Sequence, residues 1–342
     1  MGLQISEIVP RTEIKLEDLS GKVIAVDAFN TIYQFLTTIR QPDGMPLTDK
    51  HGKITSHLSG LFYRTTNLMN KGLKLVFVFD GEPPEQKRKT HELRGEIKRE
   101  AREKYESLKE AGEFEEASKY AGRFVTLNAE MIEESKRLLK ALGLPVVQAP
   151  GEGEAQAAFM AKQGDVWASA SQDYDSLLFQ APRLIQNLTL ARKRKLASGA
   201  FVAIEPQLIE LQKVLNSLQI NQDQLICLGI LIGTDYNPKG VKGIGPKTAL
   251  KLVIQHKQPT TIFLNVRKDY EFDFDWQEVF ELFKKPNVTS GYKIKFGPVD
   301  EKELKKLLVD EHDFSEERVE KQLEKLREIE DKRKQKGLGE WV

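Results

Sequence analysis

The sequence predicts an α/β fold in which helices cover both faces of a mostly parallel central sheet. Three mainly apolar runs support this prediction, at residues 22–26, 75–79 and 166–170. Apolar runs of about five residues are typical of strands that are buried on both faces, as they are in a parallel sheet.

An aspartate follows each predicted strand: Asp27, Asp80 and Asp173. Because the carboxyl ends of parallel strands meet at one edge of a sheet, where ligands bind, we expect these three carboxylates to lie close together. A single aspartate at such a place is more often a helix N-cap. Three at equivalent places favour a shared site.

Helical patterns fill the segments between and after the strands. Helices are predicted at residues 60–69, 128–142, 222–233 and 247–256, and another begins after Ser315, which is its predicted N-cap. Residues 84–125 are rich in Lys, Arg and Glu, and we expect them to form a charged helical insertion at the edge that carries the aspartates.

The composition excludes several classes of protein. The chain has 342 residues, of which 40% are hydrophobic and 30% charged, too apolar for a disordered chain and too charged for a membrane protein. The acidic and basic N-terminal residues do not fit a signal peptide. The single cysteine, Cys227, excludes a disulfide within the chain, and the five histidines form no close ligand pair, which argues against zinc hydrolysis.

Seven acidic residues are predicted to surround one edge of the sheet. Besides the three strand-end aspartates, Asp175 follows Asp173 closely, two glutamates begin a helix after a Pro-Gly turn, and an aspartate follows Gly233-Thr. So many carboxylates repel one another unless cations lie among them. Oxygen ligands favour Mg²⁺, and two ions account for the number, as in phosphodiester cleavage. The predicted metal ligands are Asp27, Asp80, Glu152, Glu154, Asp173, Asp175 and Asp235.

The net charge of +1 conceals a basic surface. Residues 176–204 and 236–268 contain no acidic residue, and the first of these tracts includes the run Arg192–Lys195. Without the seven carboxylates, 44 acidic residues face 52 basic ones, a surplus of +8. A basic run is often only a solvated face, but two such tracts beside an acidic cluster favour phosphate binding.

Residues 237–248 form a Gly-rich loop that nearly matches a nucleotide-binding P-loop. Pro246 interrupts that motif, and a helix rather than a strand precedes it, so the nucleotide-binding interpretation is rejected. We interpret Gly243-Ile-Gly245 as the turn of a helix–hairpin–helix type element, in which backbone N–H groups reach a phosphate beside a helix N-terminus. The alternative is an ordinary Gly-rich loop.

The sequence resembles the flap endonucleases, the structure-specific 5′ nucleases of DNA replication and repair, in their archaeal type. The resemblance covers nearly the whole chain. The matching motifs are Met1-Gly-Leu, Val26-Asp-Ala, Tyr33-Gln-Phe-Leu, Thr55-Ser-His-Leu, Phe62-Tyr-Arg-Thr, Phe77-Val-Phe-Asp-Gly with Pro83-Pro84, Ala149-Pro-Gly-Glu-Gly-Glu-Ala, Ser171-Gln-Asp-Tyr-Asp, Gly233-Thr-Asp-Tyr and Gly243-Ile-Gly-Pro-Lys.

The resemblance implies roles for individual residues. The seven carboxylates become a two-metal site, and Lys87 and Arg94 become the basic residues that reach the scissile phosphate. Tyr33 becomes a stacking platform for an unpaired base, and the charged insertion becomes an arch around the 5′ strand. The Gly-rich loop holds downstream duplex, together with a monovalent cation. The implied DNA-binding residues are Tyr33, Arg40, Arg64, Gly233, Lys242, Gly243, Gly245 and Lys247.

The predicted activity is Mg²⁺-dependent cleavage at the junction of a 5′ flap and duplex, with 5′–3′ exonuclease activity, in Okazaki fragment maturation and repair. Two Mg²⁺ ions are expected, with Mn²⁺ as a substitute. One alternative is a related 5′ nuclease of bubble or mismatch repair; the other is a non-catalytic DNA-binding partner of a clamp.

The C-terminal residues resemble the peptide by which replication enzymes bind a PCNA-type sliding clamp. The predicted clamp contacts are Gln335, Leu338, Trp341 and Val342, and Val342 stands where the peptide has an aromatic residue. A frayed terminus is the alternative. We expect a monomer with no membrane contact, located in the cytoplasm of an archaeal cell at the nucleoid, or in the nucleus of a eukaryotic one.

The expected organisation has five parts. They are an N-terminal nuclease region at 1–98, an arch linker at 99–115, an internal nuclease region with the helix–hairpin–helix type element at 116–258, a C-terminal helical part at 259–333 and the clamp-binding tail at 334–342.

Overall fold

The computed structural model describes residues 3–190, 193–195 and 201–339. In these residues a central sheet has seven strands, and two further strands form a separate small sheet. The strands are β1 Thr12–Glu13, β2 Val23–Asp27, β3 Lys74–Phe79, β4 Val146–Gln148, β5 Ala168–Ala170, β6 Arg183–Gln186, β7 Lys193–Lys195, β8 Phe201–Ala203 and β9 Gln207–Glu210.

The sheet order is β1-β9-β6-β5-β2-β3-β4. The strands from β6 to β4 in that order run parallel, whereas β9 is antiparallel to β6 and β1 is antiparallel to β9. The remaining strands, β7 and β8, pair with each other as an antiparallel hairpin. The predicted mostly parallel sheet is therefore confirmed, with an antiparallel edge.

Fourteen α-helices are found in the described residues. They are α1 Ala28–Thr38, α2 Ser56–Asn70, α3 Arg88–Glu110, α4 Phe114–Ala121, α5 Ala129–Ala141, α6 Gly153–Gln163, α7 Asp175–Leu178, α8 Leu211–Leu218, α9 Gln222–Ile232, α10 Pro246–His256, α11 Pro259–Asp269, α12 Trp276–Lys284, α13 Glu301–Lys305 and α14 Glu316–Gly339. Short 3₁₀ turns lie at Leu16–Leu19 and Glu85–Lys87, and a π-helical turn lies at Lys306–Asp310.

Both faces of the sheet are buried. Ile24 and Val26 of β2 pack into a core with helices α1, α2, α5 and α14. Ala25, on the opposite face of the same strand, packs against α6. A further core gathers α7 to α12 around the buried face of α9. Because successive residues of a strand point to opposite faces and both faces are buried, the strands are continuous apolar runs in the sequence.

The predicted helix boundaries agree with the structure in several places. The Asn128 side chain accepts a hydrogen bond from the Met131 amide at the start of α5. Ser315 precedes α14, and the Arg318 amide donates to its hydroxyl. In the charged insertion, formed by α3 and α4, Ile97 is half exposed.

A buried ionic cluster fastens the C-terminal part to the nuclease core. His312 contacts Asp49 at 3.2 Å and Glu134 at 3.1 Å, and His57 contacts the second oxygen of Glu134 at 3.1 Å. The hydrogen bond with Glu134 raises the pKa of His312. Burial opposes ionisation of Glu134, but the two histidines outweigh it and lower the pKa of Glu134 to about 2.

No helix in the described part of the chain is both long enough and apolar enough to cross a membrane.

Candidate active site

The three strand-end aspartates lie where the sequence predicted them. Asp27 is the last residue of β2, Asp80 follows β3, and Asp173 lies three residues after the end of β5. Strands β5, β2 and β3 are adjacent and parallel, so the three carboxylates share the carboxyl edge of the sheet. Asp27 also caps α1, because its side chain accepts from the Asn30 amide at 3.0 Å. The cap and the shared site are therefore two roles of one residue.

The other four carboxylates come from helix termini and a turn. Glu152 is the residue before α6, and Glu154 lies in its first turn. Asp175 begins α7, and Asp235 follows the C-terminus of α9. Each helix terminus faces the same edge of the sheet, so elements far apart in sequence supply one acidic cluster. We call it the seven-carboxylate cluster; its members are the seven residues predicted above as metal ligands.

Neutral donors hold five members of this cluster. The Asn30 side-chain amide donates to Asp173 at 3.0 Å, and the backbone amide of Gly153 donates to Asp80 at 2.7 Å. The remaining contacts are Asn30 N to Asp27 at 3.0 Å, Leu3 N to Asp175 at 3.1 Å, and Ser176 N and Oγ to Glu154 at 2.9 and 2.7 Å.

Two cations at the base of α3 bind the other two members. Lys87 Nζ lies 2.7 Å from a Glu152 oxygen and 3.5 Å from an Asp235 oxygen. Arg94 Nη2 lies 2.8 and 2.9 Å from the two oxygens of Asp235. Thr90, between them on the same helical face, donates its hydroxyl to the Asp235 backbone carbonyl. The predicted basic residues thus meet the acidic cluster.

Tyr236 is a further member of the site that sequence reasoning missed. Its hydroxyl hydrogen-bonds Glu152, and Lys87 Nζ lies 5.6 Å from the centre of its ring. The Tyr236 ring packs edge-on against Phe283 at 5.1 Å. Its position directly after Asp235 was the available signal, but nothing in the spacing shows which way the side chain turns.

The electrostatics of the cluster reflect an excess of buried negative charge. Burial, reinforced by Asp80 and Asp173, raises the pKa of Asp27 to about 8. Burial, reinforced by Asp235 and Asp173, likewise raises the pKa of Asp175 to about 8. Neutral hydrogen bonds are therefore not enough to keep these groups ionised near neutral pH.

The pKa values of Glu152 and Asp235 shift in opposite directions because basic side chains neutralise the two carboxylates to different extents. At Glu152 burial outweighs the attraction of Lys87, and the pKa of Glu152 is raised. At Asp235 burial is outweighed by Lys87 and Arg94 together, and the pKa of Asp235 is lowered. Two cations thus bind Asp235 and only Lys87 binds Glu152, whereas neutral donors hold the other five members.

The donor set fits hard divalent cations. All seven side chains offer oxygen, the ligand that Mg²⁺ prefers, and the uncompensated buried charge favours added cations. As they stand, no three His, Cys, Asp or Glu side chains in the described residues form a group that could hold a metal ion. Glu152 and Asp235 are bound by basic side chains instead.

Three residues implied as DNA contacts lie partly covered. Lys98 Nζ of α3 lies 5.2 Å from the centre of the Tyr33 ring. Arg64 donates to the Thr189 carbonyl at 2.7 Å and lies over the Phe35 ring. The guanidinium of Arg40 packs so closely against Gly122 in the turn after α4 that a Cβ there would meet it. Each has a structural contact as well as a partly exposed surface.

The Gly-rich loop joins α9 to α10, as predicted for a helix–hairpin–helix type element. Gly243 has φ of +89°, which favours glycine, and Gly245 is the N-cap of α10. Gly233 also has a positive φ, and a Cβ at Gly240 would meet the Ile232 carbonyl at 2.3 Å.

Lys242 and Lys247 of this loop are exposed. They are therefore accessible to a phosphate, beside the N-terminus of α10.

The clamp-binding prediction falls partly on residues that the structure describes. Gln335 and Leu338 lie in the last turns of α14, whereas Trp341 and Val342 lie outside the described residues. In the predicted basic run, Lys193–Lys195 forms β7, and Arg192 lies outside the described residues.

Sequence comparisons find related proteins over the full length of the chain. Residues 3–101 match the XPG N-terminal domain, and residues 143–235 match the XPG I-region. The chain is 54% identical to flap endonuclease 1 of Pyrococcus furiosus over 342 residues, covering 100% of this chain and 99% of that protein. It is 52% identical to flap endonuclease 1 of Hyperthermus butylicus over 349 residues, covering 100% and 99% of the two chains.

Solved structures give the same result for the fold. Flap endonuclease-1 from Methanococcus jannaschii superposes with a TM-score of 0.75 at 43% identity, covering 95% of this chain and 98% of that one. The catalytic core of Rad2 in complex with DNA substrate has a TM-score of 0.69 at 23% identity, covering 92% and 96%, and supports the fold alone. With half its sequence shared over the full length and the same architecture, the chain belongs to the flap endonuclease family.

Proposed function

We propose that this chain cuts the phosphodiester at or just inside the junction of a 5′ flap and duplex DNA, and also removes nucleotides from 5′ ends. The observation that carries the proposal is the seven-carboxylate cluster at the sheet edge, in direct contact with Lys87, the N-cap residue of α3, and with Arg94 of α3. Membership of a metal-dependent nuclease family supports the same reaction class.

The cluster would hold two Mg²⁺ ions, for which Mn²⁺ could substitute. The residues that would bind them are Asp27, Asp80, Glu152, Glu154, Asp173, Asp175 and Asp235. Bound there, such ions supply an activated water and stabilise the leaving oxygen. The number of buried oxygen donors and their poor charge compensation support two ions rather than one.

The chain's own side chains would do the rest of the chemistry. Lys87 and Arg94 would bind the scissile phosphate and stabilise the charge that develops on it, since both lie at the cluster on one face of α3. Tyr33 would stack on an unpaired base beside the cluster. Lys242 and Lys247 would bind the duplex backbone, with a monovalent cation at the loop between α9 and α10.

A sliding clamp of PCNA type is the proposed protein partner. The spacing of Gln335, Leu338 and Trp341 supports it, because one helical turn would bring these side chains to one side as a plug for an apolar pocket. With Val342 in place of an aromatic residue, we expect a weaker contact, by about 1–2 kcal/mol for one lost ring. The enzyme would act as a monomer.

The alternatives differ in substrate or in chemistry. A bubble-cutting relative would carry a longer insertion than residues 84–125 allow, and a mismatch exonuclease would prefer ends and nicks. A non-catalytic clamp partner would have no use for a cluster of seven carboxylates, because acids near phosphate oppose binding.

The test compares flap, bubble, nicked and blunt duplex substrates with Mg²⁺ and with EDTA. We expect the flap to be cut fastest and EDTA to abolish cleavage. Asp173→Ala should abolish cleavage while DNA binding stays intact or becomes tighter, because a carboxylate that faces phosphate opposes binding when no metal is present. Near-normal cleavage by Asp173→Ala would contradict the two-metal assignment, and preference for bubbles would favour the alternative nuclease.

A further inference from the structure

We propose that Asn30 is a positioning residue for the metal centre, because its backbone amide and its side-chain amide each hold one carboxylate of that centre. This inference rests on the proposed function. The Asn30 backbone amide donates to Asp27 at 3.0 Å, and its side-chain amide donates to Asp173 at 3.0 Å. No motif in the sequence pointed to Asn30.

The place of Asn30 in the fold explains why it can reach both groups. Asp27 and Asp173 follow β2 and β5, which are neighbouring parallel strands. Asn30 lies in the first turn of α1, three residues after its N-cap Asp27, so its backbone amide completes the cap while its side-chain amide reaches Asp173 after the neighbouring strand. The two contacts therefore fix Asp173 relative to the N-terminus of α1.

A neutral amide acts on a carboxylate differently from the cations Lys87 and Arg94. Asp27 and Asp173 repel each other, and this repulsion helps to raise the pKa of Asp27. A lysine in this place would neutralise Asp173 and compete with a divalent cation for it. An amide occupies one oxygen of Asp173 and leaves its negative charge for a metal. The Ser171 hydroxyl, which accepts from the Asp173 backbone amide at 3.2 Å, further restricts this segment.

The same helix connects the metal centre to the proposed DNA contact. Tyr33 lies three residues after Asn30, so the two side chains lie on the same side of α1. A shift of Asp173 relative to α1 would therefore change the distance between the metal centre and a base stacked on Tyr33. In this proposal Asn30 fixes the distance between the metal centre and a base stacked on Tyr33.

The test is the substitution Asn30→Leu, which keeps the number and branching of the side-chain heavy atoms but removes the donor. Leu and Ala both keep the backbone amide that caps Asp27, so these variants isolate the contact with Asp173. Asn30→Ala is a second variant in case the larger side chain prevents folding. The control is Thr38→Ala at the exposed end of α1, where the hydroxyl donates only to the Gln34 carbonyl in the described structure.

Two measurements are made on each full-length variant. Mn²⁺ alone is titrated into the DNA-free protein, with free Mn²⁺ followed by electron paramagnetic resonance, and flap cleavage is measured as a function of Mg²⁺. We expect Asn30→Leu to weaken Mn²⁺ binding by about 10-fold or more and to raise the half-saturating Mg²⁺ concentration similarly, as is usual when a residue that orients a metal ligand is lost. At saturating Mg²⁺ most of the rate should return.

The outcomes separate this inference from the proposed function. Wild-type protein that binds no Mn²⁺ would overturn both. A second outcome would overturn the role of Asn30 alone. In it, the wild-type protein binds Mn²⁺, but both Asn30 variants have the same Mn²⁺ affinity and Mg²⁺ dependence as Thr38→Ala, even if their melting temperature is lower. A loss of rate that saturating Mg²⁺ does not restore, at unchanged Mn²⁺ affinity, would also overturn it.

Discussion

Replacing Lys87 by Met should destabilise the metal-free protein, because the ammonium lies between two carboxylates. Lys87 Nζ is 2.7 Å from Glu152 and 3.5 Å from Asp235, and the three side chains are 16%, 12% and 15% exposed. Two charges 2.7 Å apart attract by about 6 kcal/mol at an effective dielectric constant of about 20, before desolvation is counted. Breaking buried pairs costs about 3–5 kcal/mol, and the residual exposure puts our expectation at about 3 kcal/mol.

The assay is thermal unfolding in EDTA, followed by single-turnover cleavage in Mg²⁺. For a chain of this length, about 3 kcal/mol corresponds to a fall in melting temperature of about 4 °C. Cleavage should slow by about 10²–10³-fold with little change in DNA affinity, as when one donor to a developing charge is lost.

The matched control is Lys71→Met, whose pair with Glu17 is 39% and 58% exposed and should contribute less than about 1 kcal/mol. If Lys87→Met lowered the melting temperature no more than this control does, the buried ion pairs would not be stabilising the site. A loss of DNA affinity at an unchanged rate would instead make Lys87 a docking residue.

Three further predictions concern docking, pH and the tail. Lys242→Ala and Lys247→Ala should each weaken DNA binding and lower the slope of log affinity against log salt by about one unit; a slower single-turnover rate at unchanged affinity would contradict this. His312→Gln should cost stability below pH 6.5, the ordinary pKa of His, where the charged His312 contributes fully, and the difference should shrink as pH rises through its raised folded-state pKa. Unfolding midpoints measured against pH check this, and a constant difference would refute it. Deleting residues 334–342 should leave flap cleavage intact but remove stimulation by the cognate clamp; full stimulation would refute the clamp contact, and loss of cleavage without a clamp would place the tail in the fold.

The acidic half of the site could be predicted because it follows from topology. Asp27, Asp80 and Asp173 end strands that read as buried apolar runs, and parallel strands bring their carboxyl ends to one edge without any knowledge of side-chain contacts. The helices around the Gly-rich loop were also predictable, because Gly233 ends one helical segment and Gly245 precedes the next.

The contacts between side chains could not be predicted, because they depend on how elements dock. The pairing of Arg94 with Asp235 joins residues 141 positions apart, and that of Asn30 with Asp173 joins residues 143 apart. The spacing of Lys87 and Arg94 shows only that they share a face of α3. The sequence also does not show that Arg64 uses part of its guanidinium to bind the Thr189 carbonyl.

The two kinds of partner in the seven-carboxylate cluster have different consequences for metal binding. Neutral donors contact Asp27, Asp80 and Asp173 and add no positive charge beside them, so these contacts do not oppose a divalent cation electrostatically. At Glu152 and Asp235 a divalent cation competes with α3 for the same oxygens. Because such coupling is reciprocal, whatever strengthens the contact of α3 with these carboxylates weakens metal binding, and metal binding in turn loosens that contact. In the proposed mechanism, Lys87 and Arg94 are therefore counter-ions of the cluster before metal binds, and they become available to the scissile phosphate when Mg²⁺ takes over that role.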